Sequence, residues 1–280
     1  MIIPKNFNAP AITQAAQTVW SHWQSGQVLK ALPEECRPLT MAQGYAVQAQ
    51  LPAVSGRTVV GWKIAATSAN GQSHIHVSGP LAGRLLSGQV FDNGATVPSA
   101  GNRMRVAEPE FAFSMAQDLP PQNTPYGMKQ VMAAVASLHP AIEIPDSRLA
   151  PFTEAGEAQL LADNACARHF VLGPAAPDAW RELDLSHHTV QARVDHGERL
   201  RYTREGTGAN VLGDPRIALT WLVNQLSALG LTLQKGQVVT TGTCMVPLAL
   251  EPGDRVSADY GLLGHVQMTF ASEAPTEVPT

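Results

Sequence analysis

From Val59 onward the chain is written in short apolar runs broken by Gly, Asn, Pro and Asp, a texture that few folds accommodate. The runs at Val59–Ile64, Ala107–Met115, Ala141–Ile144, Val190–Val194, Val238–Thr241, Arg255–Tyr260 and His265–Phe270 have the length and composition of strands. Helical signals among them are sparse. Thr124-Pro125 pairs an N-cap residue with a proline at the first helical position and predicts a helix to about Leu138. A short helix is expected over 153–161. Asp214-Pro215 repeats the cap-plus-proline signal and opens a helix over Arg216–Leu229, which Gly230 stops. Strands outnumber helices and do not alternate regularly with them. That pattern argues against a doubly wound parallel sheet and predicts a mixed or mainly antiparallel α+β domain.

Upstream of Val59 the periodicity is helical. Residues 8–30 carry Ile12, Ala15, Ala16, Val19 and Trp20 at i, i+3/i+4 spacing, and Thr40 is placed to cap a second helix running to Gln48. The expected organisation is a helical N-terminal region over 1–55, a catalytic domain over 56–272, and a polar, frayed tail over 273–280. Hydrophobic residues make up 44% of the 280 and charged ones 15%, enough to bury a real core. A net charge of −4 gives no reason to expect nucleic acid or an anionic membrane as partner. The first residues lack a basic segment followed by an apolar one, and no apolar run is long enough to span a bilayer. Cys36, Cys166 and Cys244 are odd in number and widely spaced, which supports neither a disulfide framework nor a cysteine-zinc site. A reducing cytoplasm is the expected compartment.

Chemistry concentrates in Val106-Ala107-Glu108-Pro109-Glu110-Phe111-Ala112-Phe113. In a strand of period two, Glu108 and Glu110 project to one face and Phe111 and Phe113 to the other. Neighbouring carboxylates repel and are tolerated when solvated, protonated or bridged by a cation. Pro109 removes one ladder donor and points to an edge or a bulge. Glu143, between Ile142 and Ile144, is a third candidate. An all-oxygen set of this kind suits Mg²⁺ or Mn²⁺ better than zinc. On spacing alone, a solvated strand face is the competing explanation.

A collinear series of segments resembles the 2-keto-4-pentenoate hydratase group of the fumarylacetoacetate hydrolase superfamily. They are Gly61-Trp62-Lys63-Ile64, Gly79-Pro80-Leu81-Ala82-Gly83-Arg84-Leu85, Glu108-Pro109-Glu110-Phe111, Pro140-Ala141-Ile142-Glu143-Ile144, Ser147-Arg148 and Ala162-Asp163-Asn164-Ala165. Val211-Leu212-Gly213-Asp214-Pro215, Trp221-Leu222, Thr241-Gly242-Thr243, Gly253-Asp254-Arg255-Val256 and Gly261-Leu262-Leu263-Gly264 continue it. The resemblance implies a rolled mixed β-sheet core with flanking helices and self-association into a homo-oligomer. It also implies a divalent cation on Glu108, Glu110 and Glu143, and a small 2-oxo acid substrate chelated through its carboxylate and 2-oxygen. The implied enzyme is a hydro-lyase of aromatic-compound breakdown that converts a 2-hydroxydienoate to a 4-hydroxy-2-oxo acid. A 2-oxo-enedioate decarboxylase, an acylpyruvate C–C hydrolase and a non-catalytic complex subunit are alternatives on the same scaffold.

By the same resemblance Lys63 lies near metal and substrate, where a cation stabilises an enolate or relays a proton. Two positions depart from the family pattern. Leu81 stands where the Pro-Asp-x-Gly motif has an aspartate, and Cys166 where many members have a serine after Asp163-Asn164-Ala165. His74 and His76 are candidates for the missing proton transfer, with polar loop residues as the competing reading. Cys166 is either a wall of the substrate pocket or a buried structural thiol. Arg148 either grips a substrate carboxylate or pairs with Asp146. Asp163 either orients backbone around the pocket or caps a turn.

Overall fold

The computed structural model describes residues 7–272; the expected frayed tail at 273–280 lies outside them. Helix α1 (Ala9–Ser25) starts at Asn8, whose side chain accepts from Ala11 N, and ends where Gly26 turns left-handed at φ 71°. That glycine closes the helix short of the expected residue 30. Helix α2 (Met41–Gln48) opens with a reciprocal capping box between Thr40 and Gln43, and α3 (Leu51–Ser55) follows.

The body begins with β1 (Val59–Ala65), α4 (Ala69–His74), β2 (Leu81–Leu86), β3 (Val90–Asp92) and β4 (Thr96–Val97). Next come β5 (Val106–Met115), α5 (Met128–Ala133), β6 (Val135–Ile144), α6 (Glu157–Ala162) and β7 (His169–Leu172). Then β8 (Thr189–His196), β9 (Arg199–Thr207), α7 (Pro215–Ala228), β10 (Val238–Thr243), β11 (Leu248–Ala249), β12 (Asp254–Asp259) and β13 (His265–Phe270) complete it. The larger sheet runs β2-β1-β10-β5-β6-β7-β3, with β11 pairing β5. The smaller runs β4-β13-β12-β8-β9. The β1–β10, β3–β7 and β4–β13 pairs are parallel and the others antiparallel, so the architecture is the expected mixed α+β. The sheets share one apolar core, in which Phe111 meets Tyr260 edge-on at 5.3 Å between ring centres.

Three expectations are corrected. The helix anticipated from Thr124 to Leu138 is only the six-residue α5, which begins after Gly127. Tyr126 is tied instead to α7, its N–H donating to Asn224 Oδ1 at 2.7 Å. From Val135 the chain pairs with β5 over Glu108–Met115, and that ladder overrides local helix preference. Nor is Pro109 at an edge, because β5 is flanked by β10 and β6. Its irregularity lies in the partner, where the register shifts between Thr240 and Thr243. The short helix expected over 153–161 divides into a 3-10 turn at Phe152–Glu154 and α6.

The N-terminal helices do not stand apart. Ala15, Ala16, Val19 and Trp23 of α1 share an apolar cluster with Val47 and with Ala162 of α6. Leu29 bridges to Leu149.

A carboxylate cluster in the curl of the larger sheet

β5 and β6 are antiparallel neighbours, and their register sets Glu108 directly opposite Glu143. With Glu110 two residues on, period two brings all three carboxylates to one face. One oxygen from each lies within 4.8 Å of the others. Glu110 and Glu143 are fully buried, whereas Glu108 is partly exposed.

The sheet's curvature supplies the fourth group. Lys63 stands on β1, three strand steps from β6, a flat span of about 14 Å. Even so, its Nζ sits 3.1 Å from Glu143 Oε2. The two side chains reach across β10 and β5 on one face of the curled sheet. Gly83 of β2 lies opposite Lys63, and a Cβ there would collide with the Asn164 carbonyl and reach 3.0 Å from Lys63 Cγ. The absent side chain leaves room for the lysine stem.

β10 anchors Glu110. Its Oε2 accepts from Gly242 N at 2.6 Å and from the Thr240 hydroxyl. Gly242 has φ +99°, and a Cβ on it would meet the Thr67 side chain. Thr240 and Gly242 adjoin or belong to the Thr241-Gly242-Thr243 motif, but nothing in the sequence alone pairs that motif with Glu110. Glu110 Oε1 and Glu143 Oε1 are buried with no hydrogen-bond partner.

These carboxylates are electrostatically frustrated. Burial, then Glu143, pushes Glu108 up to about 7 against the pull of Lys63. Burial, then Glu143 and Glu108, raises Glu110 well above the usual carboxylate range, and burial raises Glu143. Burial alone would lower Lys63, but Glu143, Glu108 and Glu110 outweigh it and its pKa rises, so it stays an ammonium. One ammonium cannot neutralise three carboxylates. The orphaned oxygens and the all-oxygen donor set fit a hard divalent cation.

The other candidate residues separate. Cys166, 8% exposed, is within electrostatic reach of Lys63 and Glu143, and burial pushes its thiol up. It ends a turn in which Asn164, Ala165 and Cys166 all have positive φ (59°, 51° and 62°). Arg148 is committed elsewhere, paired with Asp146, donating to Gly101 O at 3.0 Å and stacked 4.5 Å from the Trp23 ring. Asp163 is a buried hub that accepts from Trp23 Nε1 (2.9 Å), Ser147 Oγ (2.5 Å) and Arg148 N (2.8 Å). The geometry favours structural roles for both. His74 and His76 are exposed, and neither comes within ion-pair distance of a carboxylate; the His74 ring lies edge-on to Phe152. Leu81, where the family pattern has an aspartate, is itself buried in the apolar core.

The fumarylacetoacetate (FAA) hydrolase C-terminal family model matches residues 89–271. The chain is 30% identical over 262 residues to a 2-keto-4-pentenoate hydratase of Paraburkholderia xenovorans (strain LB400), covering 92% of this chain and 94% of that one. It is 29% identical over 274 residues to a 2-oxo-hept-4-ene-1,7-dioate hydratase of Escherichia coli, covering 94% and 99%. Among solved structures, 4-oxalocrotonate decarboxylase from Pseudomonas putida G7, complexed with magnesium and adipate, superposes with a TM-score of 0.81 at 23% identity, over 94% of this chain and 98% of that one. No helix among the described residues is long and apolar enough to cross a membrane.

Proposed function

Because the chain belongs to the fumarylacetoacetate hydrolase family, in its 2-keto-4-pentenoate hydratase group, we propose that it is a divalent-metal-dependent hydro-lyase. It acts on a 2-hydroxydienoate or related 2-oxo-alkenoate to give a 4-hydroxy-2-oxo acid. The observation that carries this reading is the buried cluster of Glu108, Glu110 and Glu143 with its orphaned oxygens. These three hold Mg²⁺ or Mn²⁺, as hard, all-oxygen ligands do. The cation, when bound, supplies Lewis-acid stabilisation of negative charge at the substrate's 2-oxygen.

The residues divide the remaining work. Lys63 keeps its proton in the field of the carboxylates, so it serves as a fixed positive charge and donor beside the developing enolate. The curl of the sheet and the Asn164–Cys166 turn enclose the site on the Lys63 side. Protonation at the terminal carbon of the dienol gives an α,β-unsaturated ketone, to which water adds at C4. The cytoplasm is the compartment of this reading, supported by three free, buried cysteines. Self-association is its assembly, with exposed Leu200, Val246 and Leu262 as apolar surface for it.

A second reading rests on Leu81, whose side chain cannot activate water. Decarboxylation of a 2-oxo-enedioate uses the same stabilised enolate, breaks a carbon–carbon bond to carboxylate and needs a proton but no attacking water. One experiment separates the two. The purified protein with Mg²⁺ or Mn²⁺ is given 2-hydroxypenta-2,4-dienoate and, separately, a 2-oxo-enedioate, with EDTA and Glu108→Gln/Glu110→Gln controls. Metal-dependent formation of 4-hydroxy-2-oxopentanoate, absent in the controls, supports the hydratase. CO₂ release with an untouched dienoate replaces it by the decarboxylase. Turnover that persists in EDTA and in the double variant refutes both.

A further inference from the structure

A second group of charged side chains lies where α1 meets the larger sheet, away from the carboxylates. Trp20 and Trp23 are one turn apart on α1 and so are neighbours on its surface. The Arg57 guanidinium lies 5.2 Å from the Trp20 ring centre, and that of Arg168 lies 4.7 Å from Trp23. Stacking on an indole fixes a guanidinium plane but leaves its N–H edges unused. Neither Arg57 nor Arg168 makes a side-chain hydrogen bond or ion pair among the described residues, whose ion pairs lie elsewhere. Asp146, the acid nearest in effect to Arg168, is already paired with Arg148.

His169 adjoins Arg168 at the start of β7. It is 7% exposed, and its Nδ1 is buried with no partner. Its ring meets Phe91 edge-on. Burial, then the positive charges of Arg168 and Arg57, pulls its pKa down to about 3. Two cations that repel each other and an unused imidazole nitrogen form an arrangement that an anion with several acceptor oxygens would complete.

We propose that Arg57 and Arg168, stacked on Trp20 and Trp23 beside the unpartnered imidazole of His169, form a binding site for a dianionic oxyanion of the phosphate class. Bound there, the anion bridges the end of α3 to β7 and ties the helical N-terminal region to the sheet. The site shares no residue with the carboxylate cluster and does not depend on the proposed reaction.

The test uses the full-length protein in EDTA, with inorganic phosphate titrated by calorimetry and thermal unfolding at constant ionic strength, and with chloride and succinate as comparison anions. Saturable phosphate binding is expected, with a rise in Tm that chloride does not reproduce. Arg57→Gln and Arg168→Gln should each weaken it at least tenfold, and each should be no less stable than the parent in phosphate-free buffer, since a repulsion is relieved. A His169 imidazole nitrogen resonance that shifts with phosphate in the parent, but not in Arg168→Gln, places the anion. Phosphate affinity unchanged in both variants overturns the proposal, as does a Tm rise matched by chloride at equal ionic strength. Tighter binding of succinate than of phosphate overturns the assignment to phosphate.

Discussion

At the scale of the residue, the site depends on an imbalance of charge. Glu108 is raised to about 7 from an ordinary value of 4.5. Without metal, Glu108 therefore holds its proton more fully in the folded protein than in the unfolded chain between those values. His169, lowered to about 3, contributes in the opposite sense, but the contribution of Glu108 to stability falls as pH rises from about 4.5 to about 7. Bound Mn²⁺ reverses this, because the metal takes the deprotonated carboxylates, and its affinity rises with pH through the same window. Thermal unfolding across pH 4.5–7.5, with EDTA and with Mn²⁺, should give two curves that diverge upward; parallel curves would count against the metal site. Thr240→Val removes one of the donors that orient Glu110 and should weaken metal binding about 10–100-fold with little loss of fold, as calorimetry would show. The shared face of Glu108 and Glu110 was legible in sequence because period two needs no tertiary information, whereas Glu143 joined them only through the family resemblance, since it meets Glu108 across the β5–β6 pairing. The roles of Thr240 and Gly242 were not legible, since they reach Glu110 only through the β10–β5 pairing.

At the scale of the element, β2 is informative. Its residues Leu81–Leu85 fall within the segment Gly79–Leu85, read from the sequence as a family motif and not as a strand; glycine and arginine interrupt its apolar pattern. In the fold, Gly83 yields its space to Lys63 and Asn164, while Arg84 turns to the opposite face and stacks on Trp62 at 4.7 Å. Gly83→Ala should therefore lower kcat while leaving Mn²⁺ affinity near the parent value, because it displaces Lys63 and not the carboxylates. Equal losses in both would show a general collapse instead. The helix expected at 124–138 failed for the complementary reason. Its capping signal was local, whereas β5 offered Val135–Leu138 a partner from a distance. By contrast, α2 and α7 were legible because their caps and apolar faces agree with the packing around them.

At the scale of the whole molecule, the helical region and the sheets act as one body. Trp23 donates to Asp163, which also fixes Ser147 and Arg148 and begins the left-handed turn that ends at Cys166. Trp23→Phe keeps an aromatic side chain but strips the N–H that Asp163 accepts and part of the surface on which Arg148 and Arg168 stack, and should cost at least about 1–3 kcal/mol in urea unfolding. Unfolding followed by tryptophan emission and by loss of metal binding should coincide in one transition. Two separated transitions would mark the boundary near residue 55 as a domain border. Sequence reading placed that border by a change in periodicity, which cannot reveal that Ala162 completes the apolar cluster of α1.

The contact between Lys63 and Glu143 is a chord drawn across an arc of four strands. A chord shortens or lengthens with the bend of its arc, so every side chain that sets the bend also sets the distance between the Lys63 ammonium and the carboxylate cluster. Substitutions in the outer layers of the sheet, far from any carboxylate, are then heard at the centre as a change in rate. Over evolutionary time such an enzyme can retune its reaction by reshaping the bowl while every residue inside the bowl stays the same.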